Sequence, residues 1–125
     1  MVPPKKVPAR FFQTKGGNEP VRKFLKVLMI AEKKIVGGDI AKVEYGWPIG
    51  MPTSRSLGGG LHEVRSDLVS RIGRVFFYIS EDEEMILLHA IVKKTEKTPA
   101  VDIALARARM VEHKLASRPR RAKER

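Results

Sequence analysis

The sequence predicts a small α+β domain: a mainly antiparallel sheet with helices packed on one face, in the order β-α-α-β-β-β-α. Three observations carry that prediction. Two β-rich runs, Arg71–Ser80 and Met85–Lys93, bracket the acidic stretch Glu81-Asp82-Glu83-Glu84, the pattern of an antiparallel hairpin. Stretches with apolar residues three and four apart stand on both sides of this hairpin region, as amphipathic helices require. The chain has 125 residues, which suits one domain with its own hydrophobic core.

Ala9-Arg10-Phe11-Phe12-Gln13-Thr14 is a strand candidate that Gly16-Gly17 ends. Asn18 then reads as a helix N-cap, with Glu19 and Pro20 in the first turn. Val21, Phe24, Leu25 and Leu28 form the apolar face of that helix. A second helical stretch runs from about Ala31 to Tyr45, with Ile35, Val36, Ile40 and Val43 as its apolar positions. Gly37-Gly38 lies inside it and predicts a kink or a split. Gly46-Trp47-Pro48-Ile49-Gly50-Met51-Pro52 is a loop rich in breakers, with Trp47 as an anchor.

Leu61–Leu68 is a short, half-polar strand candidate. Arg71–Ser80 contains Val75-Phe76-Phe77-Tyr78-Ile79, and Met85–Lys93 is almost continuously apolar, as for a strand buried on both faces. The last helix begins with Thr98 as N-cap and Pro99 at its first position. Val101, Ala104, Leu105, Ala108, Val111 and Leu115 make its apolar stripe.

The formal net charge is +11, and its distribution matters more than its size. Residues 1–15 and 117–125 each carry +4, which leaves +3 for the body. The boundaries follow: a flexible basic N-terminus at 1–8, a folded domain at 9–116 and a basic disordered tail at 117–125. Such a tail either solubilises the chain or grips RNA or acidic protein without sequence preference. The chain has no cysteine, so disulfide scaffolds and thiol chemistry are excluded. It shows neither a signal-peptide pattern nor an apolar run long enough for a membrane span, which makes a cytoplasmic location the expectation.

Helices on one face would leave the other face of the sheet free for function. Strand alternation puts Leu61, Glu63, Arg65 and Asp67 on one side of their strand, and Arg74, Phe76 and Tyr78 together on the next. Arginines on central strands are costly unless they meet water, a ligand or an acid. Arg65 and Arg74, with Arg55, Arg71, Lys93, Lys94 and Lys97 nearby in sequence, are therefore candidates to hold a polyanion such as RNA. The alternative is structural: Arg65 pairs with Glu63 or Asp67, and Arg74 with an acid of a neighbouring strand. His62 and His89 titrate near neutrality and are candidates for proton transfer, although His89 stands among Leu87, Leu88 and Ile91 as a core histidine would. Gly58-Gly59-Gly60 lacks the Gly-Lys-Ser/Thr of a nucleotide loop and reads as a turn.

Several stretches resemble RelE/HigB-type toxins, in particular the phage-derived HigB-like branch. They are Arg55-Ser56-Leu57, Gly60-Leu61-His62-Glu63-Val64-Arg65, Arg71-Ile72-Gly73-Arg74-Val75-Phe76-Phe77-Tyr78, and Leu87–Pro99 with its Lys93-Lys94-Thr95-Glu96-Lys97-Thr98-Pro99 ending. Asn18-Glu19-Pro20-Val21 and Tyr45-Gly46-Trp47-Pro48 fit the same branch. The resemblance implies a RelE-like fold and the toxin component of a type II toxin–antitoxin system. It implies an endoribonuclease, an mRNA interferase, that cuts mRNA in the ribosomal A site and so inhibits translation. The chemistry would be metal-free, without a cofactor. The implied partners are the ribosome, its mRNA and a cognate antitoxin, usually a helix-turn-helix protein. Carried over by position, Arg65, Arg74, Lys93 and Lys94 would be catalytic, and Arg55, His62, Arg71, Tyr78 and Lys97 would bind RNA. Thr98-Pro99 stands near the place where many members carry a tyrosine or histidine, so that role has no residue here. The rival classes are a non-catalytic RNA- or ribosome-binding module and a phage-derived protein-interaction subunit.

Overall fold

The computed structural model describes residues 3–123, and side chains up to residue 117. Its elements are β1 (Ala9–Phe11), α1 (Pro20–Val27), α2 (Ile30–Gly46), β2 (Ser54–Gly58), β3 (Leu61–Leu68), β4 (Arg71–Ile79), β5 (Met85–Lys93) and α3 (Ala100–Lys123). The five strands form one sheet in the order β1-β5-β4-β3-β2. Every pairing is antiparallel except β1 with β5, which is parallel. The α+β class and the β4–β5 hairpin are as the sequence predicts. The strand β2 is additional: Ser-Arg-Ser-Leu-Gly is too short and polar to show an apolar alternation, and it forms because β3 offers it a hydrogen-bonding edge. Among the described residues, no helix is long and apolar enough to cross a membrane.

The helices do not share one face. Val64, Val75, Phe77 and Leu87 pack with Val21 of α1 and with Val36, Ile40 and Val43 of α2. Leu61, Phe76, Tyr78, Ile86 and Leu88 point the other way and pack with Ala106 and Met110 of α3. The physical reason lies in the strands: β4 is buried at six consecutive positions, and a strand apolar on both sides needs cover on both sides. The expected open face is therefore reduced to the end that α3 leaves uncovered.

Two helices also differ in detail from expectation. The helix α2 is continuous through Gly37-Gly38, because Val36, Ile40 and Val43 anchor it on either side of the pair. In α3, the residues turned to the sheet are Ile103, Ala106 and Met110, whereas Val101, Leu105, Val111 and Leu115 are exposed. Both sets have helical spacing, so periodicity alone could not choose between them. The backbone of α3 continues past Ser117, where the sequence places the start of a tail, and residues 124–125 lie outside the described residues.

Within the expected N-terminal segment 1–8, the chain contacts Glu44 of α2 from Lys5 onward. The Glu44 carbonyl oxygen accepts hydrogen bonds from the N–H groups of Lys6 and Val7 at 2.8 and 3.1 Å. Its carboxylate accepts the Ala9 N–H at 2.7 Å and pairs with Lys5 at 3.0 Å. Val7 is thereby buried in the core. Residues 1–2 lie outside the described residues.

Candidate anion site at the sheet end

Antiparallel register sets Arg65 of β3 directly opposite Arg74 of β4, and Arg55 of β2 opposite Glu63 of β3. Two like charges facing across strands repel, so this arrangement needs an acid between them. Glu63 supplies it, fully buried. Its Oε2 accepts a hydrogen bond from Arg65 and forms an ion pair with Arg55, each at 2.9 Å. Its Oε1 accepts the Thr98 hydroxyl at 2.8 Å and lies 3.9 Å from Nε of Arg74. Thr98, expected to cap α3, instead turns its hydroxyl to Glu63 and accepts a bond from Arg55 at 3.2 Å.

The loop after β5 closes over this group. Arg74 is fully buried and donates from Nη2 to the carbonyl oxygens of Thr95 and of Glu96. Its Nε and Nη1 are buried without a hydrogen-bond partner. Burial pulls its pKa below the usual arginine value, and the nearby charge of Arg65 pulls it further. Arg65 keeps a tenth of its side chain in solvent and donates from Nη2 to the Glu96 carboxylate at 3.0 Å, while that carboxylate is 89% exposed. The same Nη2 donates to the Glu96 carbonyl oxygen at 3.1 Å, so both the backbone and the exposed side chain of Glu96 stand before Arg65. Lys93, Lys94 and Lys97 are exposed around the same loop.

The structure thus gathers Arg55, Arg65 and Arg74, with Lys93, Lys94 and Lys97 exposed at the end of β5 and in the loop after it. It also realises the structural alternative, since Arg65 pairs with Glu63 and Arg74 sits beside it. The remaining candidates lie elsewhere. Arg71 donates to Glu32 of α2 at 2.6 Å. His62 points to the α1–α2 side, stacked on Phe77 at 5.3 Å and edge-on to Trp47 at 4.9 Å. Burial lowers its pKa. Trp47 packs edge-on against both as a loop anchor. Tyr78 is buried at the far end of the α3 side, with its hydroxyl 2.5 Å from Nδ1 of His113. His89 is bonded to Asp102 at 2.8 Å, as a structural histidine is. No imidazole joins the arginine cluster among the described residues.

Thr98 and Glu96 were the members hardest to find by sequence. Thr98 resembles an N-cap, and Glu96 resembles one more loop charge. The one available signal was Glu63, an acid in the middle of a strand otherwise due to be buried.

A small α+β domain with a charged cluster at one sheet end is the class that fold and site define. The family model for the phage derived protein Gp49-like family (DUF891) matches residues 23–111, from α1 into α3 and across the whole cluster. The chain belongs to this phage-derived Gp49-like family. A comparison with curated proteins returns no match.

Proposed function

We propose that this chain is the toxin of a type II toxin–antitoxin pair: an mRNA interferase that cuts mRNA in the ribosomal A site and is restrained by a cognate antitoxin. The observation that carries the proposal is Arg65, partly exposed, held by Glu63 from below and met from outside by the carbonyl oxygen and the exposed carboxylate of Glu96, in a loop that also carries exposed Lys93, Lys94 and Lys97. A phosphodiester that displaces this carboxylate would find a guanidinium already oriented by Glu63. The resemblance to RelE/HigB-type toxins and the membership of a phage-derived family support the same reading.

In the proposed reaction, the ribose 2′-oxygen attacks the adjacent phosphorus and loses its proton. The bond from phosphorus to the 5′-oxygen breaks, and that oxygen takes up a proton. A 2′,3′-cyclic phosphate and a 5′-hydroxyl result. Arg65 stabilises the charge that builds on the phosphoryl oxygens, and Lys93, Lys94 and Lys97 hold flanking phosphates. Arg74, beneath the loop, is a positioning residue: it fixes the Thr95 and Glu96 backbone and shares Glu63 with Arg65. In-line orientation of the mRNA by the ribosome would supply much of the rate, so a strong base at this cluster is not required.

The test is expression of the chain in growing cells with mapping of mRNA 5′ ends. The expected result is growth arrest with new, codon-linked ends that Arg65→Ala abolishes. Unaltered translation and no new ends would overturn the proposal. A second reading, a non-catalytic RNA- or ribosome-binding module, is favoured by one observation: among the described residues, no histidine stands at the cluster. It predicts salt-sensitive RNA binding without new ends.

A further inference from the structure

The corner between α1 and α2 carries an apolar ridge on the outside of the molecule. Val27, Met29 and Ile30 are 82, 73 and 73% exposed, while Leu28 among them turns inward to the core. Large apolar side chains exposed together, and not singly, mark an interaction surface. The outer side of α2 continues from this ridge. Gly37 and Ala41 follow Ile30 at i+7 and i+11, in one row along the helix. A Cβ at Gly37 or at Gly38 would meet nothing within 4 Å, so the helix is bare there. The row runs about 17 Å at 1.5 Å per residue. Val36, Ile40 and Val43 hold the opposite side of α2 against the sheet, so the row faces away from it.

The charges beside this face are uncompensated. Lys23 stands one turn before Val27 on α1, and Lys26 adjoins it. Lys33 and Lys34 stand one turn beyond Ile30, on either side of the row. All four are exposed. Among the described residues none of them pairs with a carboxylate, and Lys23 donates to the neutral Asn18 side chain at 3.1 Å. The acids of this stretch are taken: Glu19 by Arg22 and Glu32 by Arg71, each at 2.6 Å, and Asp39 by Lys42 at 3.3 Å.

The occupant must therefore bring apolar surface and negative charge together. A second copy would set the same four lysines against these. RNA would supply the charge but leave the ridge in water, for no exposed aromatic ring stands here to stack on a base. A lipid surface gains nothing from a bare strip of helix, whereas another backbone can approach it closely. We propose that the outer face of α2, from Val27 to Ala41, docks an amphipathic helix of a different protein, apolar along one side and acidic on its flanks, whose backbone comes close at Gly37 and Gly38. This face lies on the opposite side of the sheet from the Glu63 cluster and does not rest on any ribonuclease activity.

The probe is a synthetic three-heptad peptide with leucine and alanine along one side and glutamate on both flanks. Fluorescence anisotropy with the full chain should give saturable binding that weakens at high salt. Gly37→Leu should bind at least tenfold more weakly. Its Cβ meets open space and leucine is the better helix former, so circular dichroism and melting should not fall. Lys33→Glu with Lys34→Glu should lose a similar factor, as should the wild-type chain with a lysine-flanked peptide. Arg65→Ala should bind the peptide as the wild type does; a loss there would place the peptide at the Glu63 cluster and overturn the proposal. No saturable binding, or equal binding by Gly37→Leu or to the lysine-flanked peptide, would also overturn it. So would retention on phosphatidylserine vesicles in place of peptide binding, or a wild-type dimer in sedimentation that Gly37→Leu dissociates, since these assign the face to lipid or to a second copy.

Discussion

Arg55 and Arg65 meet at one carboxylate oxygen, Oε2 of Glu63: Arg55 pairs with it from the neighbouring strand β2, and Arg65 donates to it from two residues along β3. One buried acid thus holds two partly exposed arginines in place and lies beside a third that is sealed from water.

Removing that acid leaves buried positive charge uncompensated. Glu63→Ala is expected to cost about 3–5 kcal/mol of folding stability, the range for breaking one side of a buried pair. Arg55→Ala removes a more exposed partner and is expected to cost below about 1 kcal/mol. Urea denaturation of both variants checks the contrast. Equal midpoints would show that Glu63 is not the organiser of the cluster.

Glu96 sets access to Arg65. Glu96→Ala leaves folding nearly unchanged, because its side chain is in solvent. It also removes a negative charge from the path of an incoming phosphate. Affinity for a single-stranded RNA oligonucleotide is expected to rise several-fold at low salt, with the gain shrinking as salt is added. Filter binding measures it. No gain would mean that the carboxylate does not compete with phosphate.

The Tyr78–His113 pair predicts a stability profile with losses at both ends of the pH range. Burial holds the His113 pKa below 6.5, partly countered by Glu84. The unfolded chain therefore binds a proton more readily as pH falls below about 6.5, and stability is lost on the acid side. His62 is shifted in the same direction by burial and adds to the loss. Burial, with the negative charge of Asp82 second, pushes Tyr78 up to about 12. The unfolded tyrosine ionises first, so stability also falls between pH 10 and about 12. Melting temperature against pH should show both arms. Tyr78→Phe should remove the alkaline one, and His113→Gln should flatten the acid one.

Gly59 sits at φ +62° in the turn between β2 and β3, and a Cβ there would lie 3.1 Å from Nη1 of Arg107. That arginine ties α3 to the turn through the carbonyl oxygens of Leu57 and Gly58 at 2.7 and 2.9 Å. Gly59→Ala is expected to cost about 1–2 kcal/mol from backbone conformation, and Gly59→Asn less, because asparagine tolerates the left-handed region. Thermal unfolding of the two variants tests the order.

Much of this fold is legible in the residues, and the reasons for the rest are specific. The hairpin Arg71–Lys93 announces itself because long β-branched and aromatic runs flank an acidic turn. The strand β2 does not, since its five residues owe their conformation to β3. The α3 stripe was visible but its direction was not: two apolar sets with helical spacing share one helix, and only the sheet's demand for Ala106 and Met110 decides which is inside. In the same way, the arginines at positions 55, 65 and 74 were legible as a group. That Arg74 is sealed beneath Thr95 and Glu96 was not, because the loop that covers it has no pattern beyond charge.

The strand β1 pairs with β5, not with a neighbour in sequence. A nascent chain therefore keeps its first strand waiting through most of its own synthesis, and the sheet closes only when the final strand has emerged. The Glu63 cluster waits longer still, for Glu96 and Thr98 follow that strand. Birth order thus sets two thresholds: a product that stops before Met85 has no partner for β1, and one that stops before Glu96 lacks the loop that covers Arg74.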